Sequence, residues 1–239
     1  MRFDDAAYSN IGGRDVNEDS TLCKQQEGAL LAAVADGLGG HGGGEIASST
    51  ALLALEASLP RLIPPKEETL RAVSAELNQA VLAKQTEQLK MKTTLAMALT
   101  DGETLALLHV GDSRVYYFHG GEIAYQSADH SVSQLAVLAN EITKEQIRFH
   151  EDRSRLLRSL GSEGSAAPEI KLLPGAPVPG DALLLCTDGF WEYVLEKEMQ
   201  KELKRTKTAK DWLEQMKKYI RRRAGKKNDN NSAVAVRVG

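Results

Sequence analysis

The sequence predicts an α+β fold in which helices cover the faces of largely antiparallel sheets. Two observations carry this reading. Short apolar runs of β type arrive in blocks, and the two long amphipathic segments sit side by side between blocks instead of alternating with single strands. The chain has 239 residues, and a core burying roughly 70% of the unfolded surface is within reach of such a length. One domain over residues 1–239 is the expectation.

In chain order, β-type runs fall at Thr21–Lys24, Ala29–Ala35, Thr94–Leu99, Thr104–Val110, Val115–Phe118, Ile123–Gln126, Ala182–Cys186 and Ala233–Val238. Gly120-Gly121 between two of them signals a hairpin. Helical periodicity runs over Gly44–Leu59 and over Glu67–Lys90, where Leu70, Val73, Leu77 and Val81 share a face, with Pro64-Pro65 as the break. A third helix, Ala209–Arg223, aligns Trp212, Leu213, Met216 and Ile220. The Pro- and Gly-rich stretch Leu172–Asp181 reads as a loop. Residues from about 129 to 164 have a polar helical pattern and read as a surface excursion.

Composition narrows the function classes. Hydrophobic residues make up 42% and charged residues 26%, ordinary for a globular protein. A net charge of -3 and 5% aromatics speak against nucleic acid as a partner. The start shows no apolar signal region, and no apolar run nears the roughly 18 residues of a membrane span. The two cysteines, Cys23 and Cys186, read as buried free thiols of a reducing compartment, so a cytoplasmic location is expected.

The chemistry-bearing feature is a set of acids at strand ends. The runs ending at Ala35, Val110 and Thr187 lead into Asp36-Gly37, Gly111-Asp112 and Asp188-Gly189. Glu18-Asp19 and Asp229-Asn230 stand before the strands at Thr21 and Ala233. A strand leaving a core delivers its next side chain to a fixed point, and glycine beside it permits a sharp turn and close approach. One Asp-Gly is ordinarily a turn. Several acids brought together repel one another unless a hard cation neutralises them, and an all-oxygen set suits Mg²⁺ or Mn²⁺. Zinc is disfavoured: His41, His109, His119, His130 and His150 show no zinc spacing, His41 being notable only for its glycine-rich surroundings. That stretch, Gly37–Gly44, lacks the pattern of a nucleotide-binding loop.

In this order, Arg14-Asp15-Val16-Asn17-Glu18-Asp19-Ser20, Asp36-Gly37-Leu38-Gly39-Gly40-His41, Gly111-Asp112-Ser113-Arg114, Thr187-Asp188-Gly189 and Asp229-Asn230 resemble the motifs of PP2C-type (PPM) phosphatases, as do Thr93-Thr94 and Ala128-Asp129-His130-Ser131. The short form is similar to bacterial members that oppose Hanks-type serine/threonine kinases. The resemblance implies a central β-sandwich with α-β-β-α layers, two Mn²⁺ or Mg²⁺ ions and room for a third. It implies metal ligation by Glu18, Asp19, Asp36, the Gly37 carbonyl, Asp188 and Asp229, with Asp36 bridging, Asp112 at the third ion and Arg14 on the substrate phosphate. It implies in-line attack on phosphoserine or phosphothreonine by a hydroxide bridging the two metals, in a monomer whose partners are a phosphoprotein and its cognate kinase.

Departures are informative. Leu38 stands where many eukaryotic members carry histidine, leaving metal-bound water as the general acid. Lys226-Lys227 precede the last motif in place of a plain glycine turn. Arg153-Ser154-Arg155 and the residues after it resemble the family's flap. Phe190-Trp191-Glu192-Tyr193-Val194 looks like phosphatases attached to type VI secretion, and a house-keeping kinase partner is as compatible. The cations Lys217, Lys218, Arg221, Arg222, Arg223, Lys226 and Lys227 read first as a solvated helix end and second as a patch that attracts acidic phosphoprotein. A catalytically silent phosphoprotein-binding module and a two-metal phosphodiesterase or nuclease are the competing classes.

Overall fold

The computed structural model describes residues 1–39, 43–164 and 166–239. His41, with Gly40 and Gly42 beside it, lies outside the described residues. Strands β1 (Phe3–Asn10), β2 (Asp19–Gln26) and β3 (Ala29–Leu38) come first, then helices α1 (Gly43–Leu62) and α2 (Glu67–Leu82). Strands β4 (Lys92–Thr93), β5 (Leu95–Thr100), β6 (Thr104–Val110), β7 (Arg114–His119) and β8 (Glu122–Gln126) follow. Helix α3 (Val132–Leu138), a 3-10 turn at Lys144–Phe149, β9 (Glu169–Pro174) and β10 (Ala182–Cys186) lead to α4 (Asp188–Trp191), α5 (Glu196–Arg205), α6 (Ala209–Arg223) and β11 (Asn231–Val238).

Two antiparallel sheets form, in the orders β1-β11-β10-β7-β8 and β2-β3-β5-β6-β9, with β4 paired to β3. Alternation along β3 explains the layering. Leu30, Ala32 and Val34 face the other sheet, meeting Leu183, Leu185, Val234 and Val236 in a shared core. Leu31 and Ala33 face outward and pack under α1 and α2 with Leu55, Leu70 and Leu77. On the other sheet, Tyr116, Phe118 and Leu184 face α5 and α6 through Met199, Trp212 and Met216. The result is α-β-β-α. Strands covered on both faces read as continuous apolar runs, which is why the sequence marks β3, β6 and β10 so clearly.

Several expected boundaries move. The helix expected over Glu67–Lys90 ends at Leu82; beyond it the Gln85 amide bonds to the carbonyls of Met91 and Gly161, tying the chain back to its neighbours. Helix α1 runs past Pro60 to Leu62, whose complete burial keeps the last turn wound. Leu172–Pro174, expected in a loop, belong to β9, an edge strand paired with β6, where proline removes no ladder bond that the sheet needs. Within 129–164, helix is confined to α3 and the 3-10 turn. Strand β1 and helix α5 carried no clear sequence signal: β1 is a polar edge strand, and α5 is mostly charged. The Gly120-Gly121 hairpin joins β7 and β8, both glycines having positive φ.

The pairing has one consequence for function. Because every ladder is antiparallel, the starts of β2 and β11 and the ends of β3, β6 and β10 fall at the same end of their sheets. The opposite end carries the tight turns at Glu27-Gly28, Asp101-Gly102 and Gly120-Gly121.

Leu185 is fully buried between the sheets. Leu185→Ala is expected to lower unfolding free energy by about 2–5 kcal/mol. Leu53→Ala, on a side chain 68% exposed, should stay within about 0.5 kcal/mol of the parent. Denaturant titration of both variants checks the layering.

Candidate metal centre

At that end lies a cleft of about 750 Å³ lined by Arg14, Asp15, Val16, Glu18, Asp36, Gly37, Leu38, Gly39, Asp112, Ser154, Leu156, Asp188, Asp229 and Asn230. Each acid is delivered by a strand end. Asp19 and Asp36 sit opposite each other in the β2–β3 ladder. The Asp36 backbone is locked on both sides: its N–H donates to Thr94 Oγ1 at 2.9 Å, and its carbonyl accepts from Thr94 N and Thr93 Oγ1, each at 2.9 Å. Gly37 follows where nothing larger fits, since a Cβ would lie 2.1 Å from the Gly44 carbonyl oxygen and 2.6 Å from that of Glu18. Glu18 accepts from the Gly44 N–H at 3.1 Å, which fixes its carboxylate beside the start of α1.

The other sheet supplies the second half. Thr187 donates its hydroxyl to Asp19 Oδ2 at 2.9 Å, binding the end of β10 to the start of β2. Asp188 then opens α4. Asn230 ties three segments: its Oδ1 accepts from Glu18 N at 2.9 Å, and its amide donates to the carbonyls of Ile11 and Val16. Arg14 pairs with Asp229 at 2.7 Å. Asp112 is buried in the turn after β6, its carbonyl accepting from the Trp191 indole at 2.9 Å.

Electrostatics reflect the crowding. Burial, then Asp19, Asp188, Asp112 and Asp229, holds Asp36 well above the usual carboxylate range. Burial and Asp188 do the same to Asp112. Burial pushes Asp19 up to about 7, partly offset by hydrogen bonds from Ser232 and Thr187. Asp188 is likewise pushed up to about 7 by burial, then by Glu192, Asp229 and Asp19. Glu18 is raised more gently, by burial against the Gly44 N–H. Asp19 Oδ1 and Asp188 Oδ1 are buried with no hydrogen-bond partner. Orphaned anionic oxygens in a set of carboxylates and carbonyls are what a hard divalent cation satisfies. The donor set fits such ions.

All eight residues singled out by sequence, namely Arg14, Glu18, Asp19, Asp36, Gly37, Asp112, Asp188 and Asp229, therefore meet at one end of the sandwich. Sequence reasoning missed the orienting roles of Thr187, the Asn230 side chain and Trp191. Thr187 and Asn230 stand inside recognised strings, yet a hydrogen-bond direction is not legible from a string. Of the flap-like segment, Ser154 and Leu156 reach the cleft, while Arg153 pairs with Glu192 at 2.6 Å and Arg155 with Asp152 at 3.0 Å. Both cysteines are free, Cys186 buried and Cys23 only partly so, and burial raises both thiols.

Elsewhere His109, His130 and Glu169 each bring a donor atom within 4.8 Å of the others. The two imidazoles are stacked, 4.5 Å apart and 18° from parallel. Imidazole lone pairs lie in the ring plane, so stacked rings aim past a common ion. His109 Nε2 also faces the Ala128 carbonyl at 2.7 Å, and the Arg158 guanidinium stands 3.4 Å from His130 Nε2. Burial, then the neighbouring His109 and Arg158, holds His130 down to about 3, so the ring stays neutral while its Nδ1 accepts from Gly111 N. The pair braces the turn before Asp112.

Raised acids make the folded chain bind more protons than the unfolded one between about pH 4, the ordinary Asp value, and about 7 for Asp19 and Asp188. Their contribution to stability is full below the lower value and is lost as pH rises through the upper one. In chelator, the thermal midpoint should fall across this window. Asp188→Asn should flatten the slope, and Mn²⁺ at neutral pH should raise the parent midpoint by mass action. Parallel pH profiles for parent and variant would refute the mutual crowding.

The sequence matches the family described as Protein phosphatase 2C over residues 7–230. The serine/threonine phosphatase stp of Listeria monocytogenes is 31% identical over 204 residues, covering 82% of this chain and 80% of its own. The crystal structure of the serine/threonine phosphatase PstP/Ppp of Mycobacterium tuberculosis superposes with a TM-score of 0.85 at 32% identity, covering 99% of this chain and 98% of that one. A structure of the PstP catalytic domain in complex with two manganese ions gives 0.83 at 30% identity over 99% of both chains. PppA, a key regulatory component of the type VI secretion system in Pseudomonas aeruginosa, gives 0.82 at 29% identity, covering 100% of this chain and 99% of that one.

Proposed function

The chain belongs to the protein phosphatase 2C family of serine/threonine phosphatases, and from that premise we propose that it hydrolyses phosphoserine and phosphothreonine in proteins using two Mn²⁺ or Mg²⁺ ions. Glu18, Asp19, Asp36, the Gly37 carbonyl, Asp188 and Asp229 hold the pair, directly or through water, and Asp112 serves a third ion. The observation that carries this is the convergence of raised acids from both sheets, two of them with an orphaned buried oxygen. Bound there, the ions supply an activated water for in-line attack and neutralise charge on the phosphoryl oxygens.

The chain's own part is to position. Asp36 lies between the acids of the two sheets, and its locked backbone keeps it there. Thr187 and Asn230 keep the two halves of the set in register. Arg14 grips the substrate phosphate through its planar fork. Its bond to Asp229 joins side chains 57% and 41% exposed, and such a pair contributes only about 0–1 kcal/mol, so turning the guanidinium toward phosphate costs little. Leu38 follows Asp36-Gly37 along the cleft wall and offers no proton, so the leaving alkoxide takes its proton from water. A bacterial Hanks-type kinase is the opposing activity. Identity to the Pseudomonas secretion component, 29%, does not exceed the 32% to the Mycobacterium enzyme, so the observations favour no particular kinase system.

Mn²⁺-dependent hydrolysis of an aryl phosphate and a phosphothreonine peptide is the test, with a phosphodiester for comparison. Both monoesters should be cleaved and the activity lost in EDTA. Asp36→Asn and Asp188→Asn should each cost at least about 100-fold, more than typical for groups that merely orient ligands. Full activity in either variant refutes the ligand assignment; preference for the diester refutes the substrate class. Arg14→Lys should raise KM for both monoesters while leaving the Mn²⁺-induced gain in thermal midpoint in place.

A further inference from the structure

The run of cations before Asp229 is not one surface. Arg223 is committed to Glu198 and to the Tyr193 carbonyl. Arg222 bonds to the Lys218 carbonyl and lies over the Tyr219 ring, and Lys218 reaches Gln215. Lys217 and Arg221 turn the other way. With Ile220 they occupy one face of α6 and, with Ala224 just past its end and Tyr8, Asn10, Gly12, Asn228 and Asn231, line a second cleft of about 280 Å³.

Lys217 is set into this cleft. Its side chain is only 16% exposed, its ammonium stands 4.4 Å over the Tyr8 ring, and Glu214 neutralises it at 2.6 Å. Arg221 is exposed and, among the described residues, has no carboxylate within ion-pair distance. The cleft therefore presents one exposed guanidinium without an ion-pair partner beside a seated ammonium, walled by side-chain amides.

Its position gives this charge a use. Gly13 N donates to the Asn228 carbonyl at 2.9 Å, and Gly12, with φ +63°, is pressed so close to Asp229 that a Cβ would lie 2.2 Å from its carbonyl oxygen. These two segments form a wall with the second cleft on one side and Arg14 and Asp229 of the metal cleft on the other. Asn228 and Asp229 are neighbours in the chain, about 3.8 Å apart. A polypeptide whose phosphoresidue sits at the metals, and whose flank runs toward this wall, crosses it within a few residues.

We propose that the second cleft is an anion subsite for the substrate chain. It receives a carboxylate or second phosphoryl group roughly two to four residues from the phosphoresidue, held by Arg221 with Lys217 and the Asn10 amide. The inference rests on the phosphatase reading of the metal cleft and adds to it a sequence preference. Charge-assisted bonds at such a partly exposed site lower KM and are weakened by salt.

The test uses phosphothreonine peptides that differ only in the flanking residues: glutamine, glutamate, or one non-hydrolysable phosphonate, placed before or after the phosphothreonine. The parent and Lys218→Gln should favour an anionic peptide over the glutamine peptide by about three- to tenfold in kcat/KM. In Arg221→Gln the ratio should fall to near one, with aryl phosphate hydrolysis unchanged. A gain with phosphonate alone identifies the ligand as phosphoryl; equal gains show that a carboxylate suffices. No anion preference in the parent, or one that survives Arg221→Gln, overturns the subsite. If the parent cleaves no monoester at all, the phosphatase reading fails separately, and fluorescence anisotropy of the glutamate peptide then decides the subsite: equal binding to parent and Arg221→Gln overturns it.

Discussion

Repulsion among buried carboxylates is the constraint around which this molecule is arranged. Asp19, Asp36, Asp112 and Asp188 are all raised, in every case chiefly by burial and with the charge of neighbouring carboxylates adding to it. Nothing in an apolar core favours such a gathering. The sandwich tolerates it because antiparallel pairing puts the acid-bearing strand ends at one rim, while the unbroken apolar runs behind them supply the packing. The stability of the layers and the strain of the rim are therefore separate. That separation allows a site poor in internal satisfaction to persist in a fold rich in it.

A second tier of contacts keeps the rim in shape. Arg114 is fully buried, forks onto Asp129 at 2.7 and 2.8 Å, and stacks 3.5 Å over the Trp191 ring. Trp191 ends the short helix that begins with Asp188 and holds the Asp112 carbonyl through its indole. Arg148 reaches the Trp191 carbonyl from the segment after α3 and also pairs with Glu196. One aromatic side chain thus relates the acids of α4, the turn after β6 and the excursion near the flap. A buried ion pair of this sort is weak support for net stability but costly to break by halves, which makes its role one of alignment.

How much of this was legible follows from what a sequence encodes locally. Strands covered on both faces announced themselves, and β6 and β10 matched their expected bounds because both are apolar and buried almost throughout, His109 being the one polar side chain inside either. Asp36, Asp112 and Asp188 were legible because each stands beside glycine at the end of such a run, and Glu18, Asp19 and Asp229 because they stand just before one. Polar edge strand β1 and charged helix α5 were not, since each depends on a neighbour more than on its own pattern. The tail of α2 was misjudged because helical propensity continues past Leu82, whereas a long-range amide contact from Gln85 bends the chain away. The basic run illustrates the same limit: sequence showed seven cations, and only pairing in space separated Arg223, bound to Glu198, from Arg221, which is not.

The far rim tells a different story from the acidic one. Its turns at Gly28, Gly102 and Gly120 have open space around them, with no heavy atom within 4 Å of where a side chain would begin. The acid-bearing segments, in contrast, are knotted to partners distant in sequence, as Glu18 is to Asn230, Thr187 to Asp19 and Asp112 to Trp191. Lineages that acquire extra modules, and engineers who graft reporters or split the polypeptide, have one permissive pole and one forbidden pole to work with. Variation in length should gather at the pole where no chemistry takes place.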